Sequence, residues 1–411
     1  MACGYSLSPG GGSSYPGGMG RIVSAVVTVD GAVLGEVGPF PVEVPWWSEV
    51  EDVVARSRDV LGVPVVVLRL LRVDGGEGAR DGHVTYHVEA LERPVRGWAP
   101  CSVDHATLTA PQPLRSPWAR IDGLRELLDW ASDALSAAGR PMTGAARQRR
   151  TWNLACLFRL PTRSGPVWLK ATPPFATDEA AAIGAFAQVD PGMVPAVIAA
   201  GERRVLLEHL PGEDGYEVGP EVLTRAVDRF VSAQAALAAH PAPGLPDRRR
   251  PVITDRVRRL LDDLPGLTGE ERAAAHRMVG RWVELDDCGL PDTIVHGDFH
   301  PGNWRCDGGV PAVVDFADAH FGNPVLDGLR VGEFLPEAER SVAIRAWVEA
   351  WKARRPGADP ARAVAVAAPL GQLVYAVRYQ EFLDGIEPSE RIYHFDDPIC
   401  SVRAALALVK S

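Results

Sequence analysis

Residues 294–303 read Ile294-Val295-His296-Gly297-Asp298-Phe299-His300-Pro301-Gly302-Asn303, and Val313-Val314-Asp315-Phe316 follows. An acid and an amide stand five residues apart after a short apolar run, and a second acid ends another apolar run twelve residues beyond the amide. This spacing suits a phosphoryl-transfer centre. Such chemistry needs a carboxylate to orient and deprotonate an attacking hydroxyl, and hard oxygen ligands for the magnesium that neutralises nucleotide phosphates. Asp298 fits the first requirement; Asn303 and Asp315 fit the second. Clusters of Asp, Asn, Gly and Pro after a strand also arise as plain turns.

The segment HGDFHPGN with a downstream VVDF resembles the catalytic and metal-binding loops of the aminoglycoside phosphotransferase family, kinase-like enzymes that phosphorylate hydroxyls of small molecules. Protein kinases carry H-R-D-L-x-x-x-N and D-F-G at the corresponding places. Here Gly297 stands where their Arg would be, and no A-P-E follows Asp315 after a long loop. The small-molecule branch therefore fits better. The resemblance implies an α+β, bilobal protein-kinase-like fold, with an antiparallel-sheet N-lobe and a mainly helical C-lobe. It covers residues from about 120 to 411 in organisation and is specific only at 294–327.

Upstream, the chain looks like a kinase N-lobe. Leu154–Leu160 reads as a strand, Pro161–Gly165 as a turn and Val167–Ala171 as the next strand, carrying Lys170. Nine residues later Glu179 opens an Ala-rich helical stretch. In the resemblance, Lys170 bridges nucleotide phosphates and Glu179 holds it. Val205–His209 followed by Leu210-Pro211-Gly212 resembles the last N-lobe strand and hinge, with adenine bound by the backbone of Glu208, His209 and Leu210. No glycine-rich loop precedes Lys170. Its place reads QRRTWN (Gln148–Asn153), where backbone amides, Thr151 or Asn153 are candidates to cover phosphates, Arg149 and Arg150 either help or form a solvated face, and the loop stays unassigned. His296 is expected to buttress the loop, His300 to line the site or cap the loop, and Asp327 matches a family aspartate that braces the catalytic loop.

Before residue 120 lies a different unit. The first twenty residues are rich in Gly, Ser and Pro and read as a disordered arm. Strands are predicted over Arg21–Val29 and Ala32–Val37 with Asp30-Gly31 as a hairpin turn. A helix over Ser48–Leu61 and strands over Val63–Val73 and His83–Leu91 complete a small α/β module of ββαββ type. Trp46 and Trp47 suit core and rim packing or a ligand platform. The expected division is an arm at 1–20, the module at 21–97, a Pro-containing linker at 98–117, the N-lobe with hinge at 118–213, and the helical C-lobe at 214–411.

The chain has 411 residues, enough for two or three domains. A net charge of −10 argues against nucleic acid as the main partner and is compatible with a cationic substrate. The six cysteines are scattered without a C-x-x-C pair, no stretch reads as a membrane span, and the expected location is cytoplasmic. No oligomeric state is legible.

The reading that emerges is transfer of the γ-phosphate of ATP or GTP, with Mg2+, to a hydroxyl of a small, sugar-containing antibiotic or metabolite, Asp298 acting as base. The alternatives are a housekeeping kinase of an amino alcohol, amino acid or simple sugar, and a catalytically silent kinase-like scaffold. A resistance role does not follow from a fold. Carboxylates concentrated over 384–397 are either an ammonium-binding patch facing the cleft or a solvated acidic surface.

Overall fold

The computed structural model describes residues 20–101, 103, 105–238, 240 and 243–410; the N-terminal arm lies outside them. Four N-terminal strands come first: β1 (Arg21–Val29), β2 (Ala32–Val42), β3 (Val65–Asp74) and β4 (His83–Ala90), with α1 (Glu51–Leu61) between β2 and β3. Their order in the sheet is β2-β1-β4-β3, with β1 and β4 parallel and the outer pairs antiparallel. Asp30 and Gly31 both adopt positive φ, as a tight two-residue turn requires. Helix α1 starts at Glu51, three residues later than predicted from Ser48, and Gly62 closes it in the left-handed region.

Side-chain alternation along β3 binds this sheet to the rest of the molecule. Val65, Val67 and Leu70 pack on Trp47, Val50 and Val53, whereas Val66 and Leu68 point into the core of the next sheet. Each such fully buried aliphatic side chain is worth about 1.5–3 kcal/mol. Gln148 adds to the join by bonding both the N–H and the C=O of Val67, at 2.9 and 2.7 Å.

A short helix α2 (His105–Thr109) precedes α3 (Ile121–Ala137), which packs on a second sheet. That sheet consists of β5 (Arg147–Thr151), β6 (Cys156–Thr162), β7 (Gly165–Ala171), β8 (Val197–Gly201) and β9 (Arg204–Glu208) in the order β5-β6-β7-β9-β8, antiparallel throughout. Helix α4 (Glu179–Val189) crosses between β7 and β8.

The second lobe is mainly helical: α5 (Pro220–Ala236), α6 (Arg250–Asp263), α7 (Gly269–Val279), α8 (Trp282–Asp286), α9 (Val325–Arg330), α10 (Glu337–Arg354), α11 (Pro360–Gly385) and α12 (Asp397–Lys410). Two short antiparallel pairs sit among them, β10 (Thr293–Val295) with β13 (His320–Gly322) and β11 (Trp304–Arg305) with β12 (Ala312–Val313). Helix α11 is long and apolar enough to cross a membrane by length and composition, contrary to the sequence reading. Its Leu370, Leu373 and Ala376 are buried in the lobe core, the environment of a core helix.

The acidic stretch near the C-terminus is divided: Asp384 and Asp396 are exposed, as a solvated surface would be, whereas three other carboxylates are buried. Glu387 is buried against Arg69 (3.5 Å) and Arg115 (3.1 Å), and Glu390 accepts the N–H of Leu70 at 3.4 Å. Asp397 is also buried, 3.2 Å from His394. Glu387 and Glu390 fasten the N-terminal sheet to the segment before the last helix, and none of the three buried carboxylates is a solvated group or an ammonium site in the cleft. Burial and the neighbouring Glu387 push Glu390 up to about 8.

Candidate active site

Strand β10 delivers the chain into the 296–303 loop, and the β11–β12 hairpin folds it back so that Val314 N–H donates to Asn303 C=O at 2.8 Å. That single register brings Asn303 and Asp315, twelve residues apart in sequence, to the same end of the loop. Asp298 is buried there. Its Oδ1 accepts from Arg330 Nε at 2.7 Å and its Oδ2 from Asn303 Nδ2 at 3.0 Å, with His300 Nε2 3.4 Å away. Burial works against its charge, but the Arg330 guanidinium and His300 outweigh it and hold Asp298 well below the usual carboxylate range. The carboxylate is therefore ionised at neutral pH.

Asn303 spends its amide N–H groups on the Asp298 carbonyl and carboxylate, which leaves Oδ1 as its atom for a cation. Asp315 Oδ1 accepts from Lys170 Nζ at 2.8 Å, while about a third of its side chain (35%) remains exposed. It sits at φ 68°, an uncommon conformation for a residue with a side chain. Lys170 also reaches Glu179 Oε1 at 2.7 Å, so β7, α4 and the β12 loop meet at one ammonium group. Burial opposes the Lys170 charge, yet Asp315 and Glu179 raise its pKa above the ordinary value. Burial pushes Glu179 up to about 7 against the pull of Lys170.

Backbone groups of the loop are held from behind. Asp327 accepts the N–H of His296 (2.9 Å), the N–H of Gly297 (3.0 Å) and the amide of Gln234 (2.8 Å). His296 Nε2 lies 3.1 Å from the Val314 carbonyl, and its Nδ1 accepts the Asp298 N–H at 3.2 Å. Both ring nitrogens are thus engaged with backbone, and burial keeps the ring neutral by lowering its pKa. His300 caps the loop, its Nδ1 accepting the Gly302 N–H at 3.1 Å; it is fully buried, with Nε2 3.4 Å from Asp298 Oδ2. Gly297 is needed because φ is +83° and a Cβ would lie 2.4 Å from the Asp318 carbonyl.

Two contiguous cavities meet at this point. One, of about 380 Å³, is lined by Lys170, Glu179, Asn303 and Asp315 and also by Glu208, His209, Leu210 and Gly212. The second, of about 80 Å³, has Asp298 and Arg330 in its wall. Asp318, Arg378 and Trp152 line both.

Some expectations need correcting. Asn153 is buried, donating to the Glu390 carbonyl at 3.3 Å with His394 at 3.4 Å, and Thr151 is buried as well; neither side chain is presented to a phosphate. Arg149 and Arg150 are not a solvated face, since they pair with Glu51 and Glu49 and line the larger cavity. Arg330 was not singled out from sequence, nor was Gln234. The signal for Arg330 was its position three residues after Asp327, on the same face of a helix.

A model of the phosphotransferase enzyme family (APH) matches residues 158–364, just over half of the chain. The chain belongs to that family. Residues before 158 lie outside the match. A Thermobifida fusca structure assigned as a fructosamine-3-kinase is 20% identical, with a TM-score of 0.50, covering 67% of this chain and 98% of the other. A choline/ethanolamine kinase family protein from Mesorhizobium loti is 17% identical at a TM-score of 0.50, covering 69% and 95%. Both likenesses concern the fold. No curated protein sequence matches the chain. This phosphotransferase therefore has the kinase-like bilobal fold, with its motif residues gathered between the lobes.

Proposed function

We propose that the phosphotransferase moves the γ-phosphate of ATP or GTP to a hydroxyl of a small, sugar-containing molecule. The observation that supports this best is convergence. Asp298, Asn303 and Asp315 come from two separated sequence blocks, and with Lys170 and Glu179 they surround one junction between two cavities.

In this reading the nucleotide occupies the larger cavity, with its base on the backbone of Glu208, His209 and Leu210 and its phosphates toward Lys170. Asp298 accepts a hydrogen bond from the acceptor hydroxyl and takes its proton as negative charge leaves that oxygen. Arg330 is a positioning residue: it fixes one carboxylate oxygen and keeps the group ionised. Asn303 Oδ1 and Asp315 suit Mg2+, which commonly takes one or two protein oxygens and completes its shell with phosphate and water. When bound, that ion neutralises the phosphate charge. His296 and Asp327 hold the loop. The proposed division places the nucleotide between an N-lobe at 118–213 and a C-lobe at 214–411, with 21–97 as a separate module joined by 98–117.

Calorimetric titration with MgATP and MgGTP tests the reading. Saturable binding that weakens about tenfold or more in Lys170→Met is expected. Absence of nucleotide binding to the wild type contradicts it. Binding without transfer to any hydroxylated acceptor favours the silent scaffold.

A further inference from the structure

We propose that the N-terminal sheet builds one wall of the acceptor site, and that the site takes a neutral hydroxylated molecule with a flat aromatic or apolar body rather than a polyamine. This rests on the phosphotransfer reading above and assigns its acceptor.

The cavity beside Asp298 is not closed by the two lobes alone. Trp46 and Ser48, from the β2–α1 connection, and Ala79, from the β3–β4 connection, line it together with α11. Trp47, the adjacent tryptophan, is buried in the core of the N-terminal sheet, so the pair divides its labour between core and cavity. Trp46 is held in place by the Arg80 guanidinium, 5.1 Å from its ring centroid. Its connection is tied to β5 by Thr151 N–H to Ser48 C=O and Val50 N–H to Arg149 C=O, both 3.0 Å, and by the Glu49–Arg150 ion pair. The wall is thus continuous with the nucleotide-side sheet.

Across the cavity stand Tyr375, Tyr379 and Phe382 of α11. Two carboxylates line the space, and each is paired with an arginine through one oxygen. Asp298 is held by Arg330 at 2.7 Å, and Asp318 by Arg378 at 2.6 Å. The acidic residues at 387, 390 and 397 are buried elsewhere. An acceptor carrying several ammonium groups would meet two arginine-paired carboxylates and four arginines, Arg150, Arg248, Arg330 and Arg378, so cationic side chains outnumber anionic ones in the wall.

Beside these charged groups the wall carries neutral polar ones. His320 Nδ1 lies 2.9 Å from the Asp318 carbonyl and must carry the proton there. Its Nε2 is then an acceptor; it is buried, lines the cavity and has no hydrogen-bond partner. The Tyr375 hydroxyl, on the ring 5.3 Å from the Arg330 guanidinium, is likewise sequestered without a partner. One acceptor and one donor between aromatic walls suit the hydroxyls and ring of an aryl-bearing sugar or similar polyol.

The test is MgATP-dependent phosphate transfer by the full-length protein to neutral aryl glycosides, led by p-nitrophenyl β-D-glucopyranoside, against kanamycin A. Transfer to an aryl glycoside is expected. In Trp46→Ala its KM should rise about tenfold with kcat changed less than about twofold and the KM for MgATP unchanged. Trp46→Phe should restore most of the loss, and Ser48→Phe, which narrows the space without removing the wall, should also raise the acceptor KM. Preference for kanamycin, or an acceptor KM indifferent to Trp46→Ala and Ser48→Phe, would overturn the assignment while leaving phosphotransfer standing; transfer to neither compound by a protein that binds MgATP would also overturn the assignment. Failure to bind MgATP would instead defeat the underlying reading.

Discussion

Asp327 and Arg330 stand three residues apart on α9 and grip the same loop from one side: Asp327 takes the N–H groups of His296 and Gly297, and Arg330 holds the Asp298 carboxylate at 2.7 Å. A spacing of three puts both side chains on one helix face. The backbone of the loop and the Asp298 side chain are therefore oriented by a single rigid element, so a shift of α9 would displace both.

Removing the guanidinium leaves Asp298 with burial as its dominant influence, and burial raises a carboxyl pKa. In Arg330→Ala the acid limb of the pH profile of kcat/KM should move upward toward neutrality, and kcat at pH 7 should fall about 10²-fold. Arg330→Lys should recover only part of this, because an ammonium cannot reproduce the Nε geometry. Nucleotide affinity, read by titration, should be nearly unchanged. An unmoved acid limb would contradict the role given to Arg330.

Asp315 adopts positive φ, which Asn tolerates better than most residues. Asp315→Asn should therefore keep its melting temperature within a few degrees, yet lose most of the Mg2+ dependence of nucleotide binding and about 10²-fold or more in turnover. Calorimetry with and without Mg2+, beside a thermal melt, separates the two effects. Retained Mg2+-dependent turnover would remove Asp315 from the metal site.

Gly297→Ala places a Cβ 2.4 Å from the Asp318 carbonyl in a left-handed backbone. Strain of this kind costs on the order of 1–3 kcal/mol before the clash is counted. The variant should melt several degrees lower and lose activity. A melt and rate equal to wild type would show that the loop relaxes freely.

Glu390 supplies a pH dependence of stability. Its folded pKa, about 8, lies above the ordinary 4.5, so between those values the folded state binds more protons than the unfolded state. Its contribution is fully present below pH 4.5 and declines as pH rises through 8, by at most about 1.4 kcal/mol per pH unit. Glu390→Gln mimics the protonated form. Its melting temperature should match wild type near pH 5 and exceed it increasingly toward pH 9; parallel melting curves over that range would contradict the linkage.

Legibility followed the range of the interactions. The β1–β2 turn, the ββαββ order and the long helices were readable because turn residues and apolar period are local signals. The 294–315 blocks were readable because Asp298, Asn303 and Asp315 need fixed spacing around one strand and one hairpin. The burial of Glu387 was not, since its partner Arg115 lies 272 residues earlier and nothing local distinguishes a paired carboxylate from a solvated one. Trp46 was left open for a related reason: whether a tryptophan faces a core or a cavity depends on the register of the chain around it. Asn153 was misplaced because its β5–β6 turn is occupied by the segment around Glu390, a contact across 237 residues.

The most direct test of the central claim is phosphate transfer from MgATP and MgGTP to a pooled panel of hydroxylated small molecules, comparing wild type with Asp298→Asn. The account predicts transfer to at least one acceptor by wild type, reduced about 10²-fold or more in the variant while nucleotide binding persists. Equal transfer by the two proteins, or nucleotide binding with no transfer by either, would contradict it.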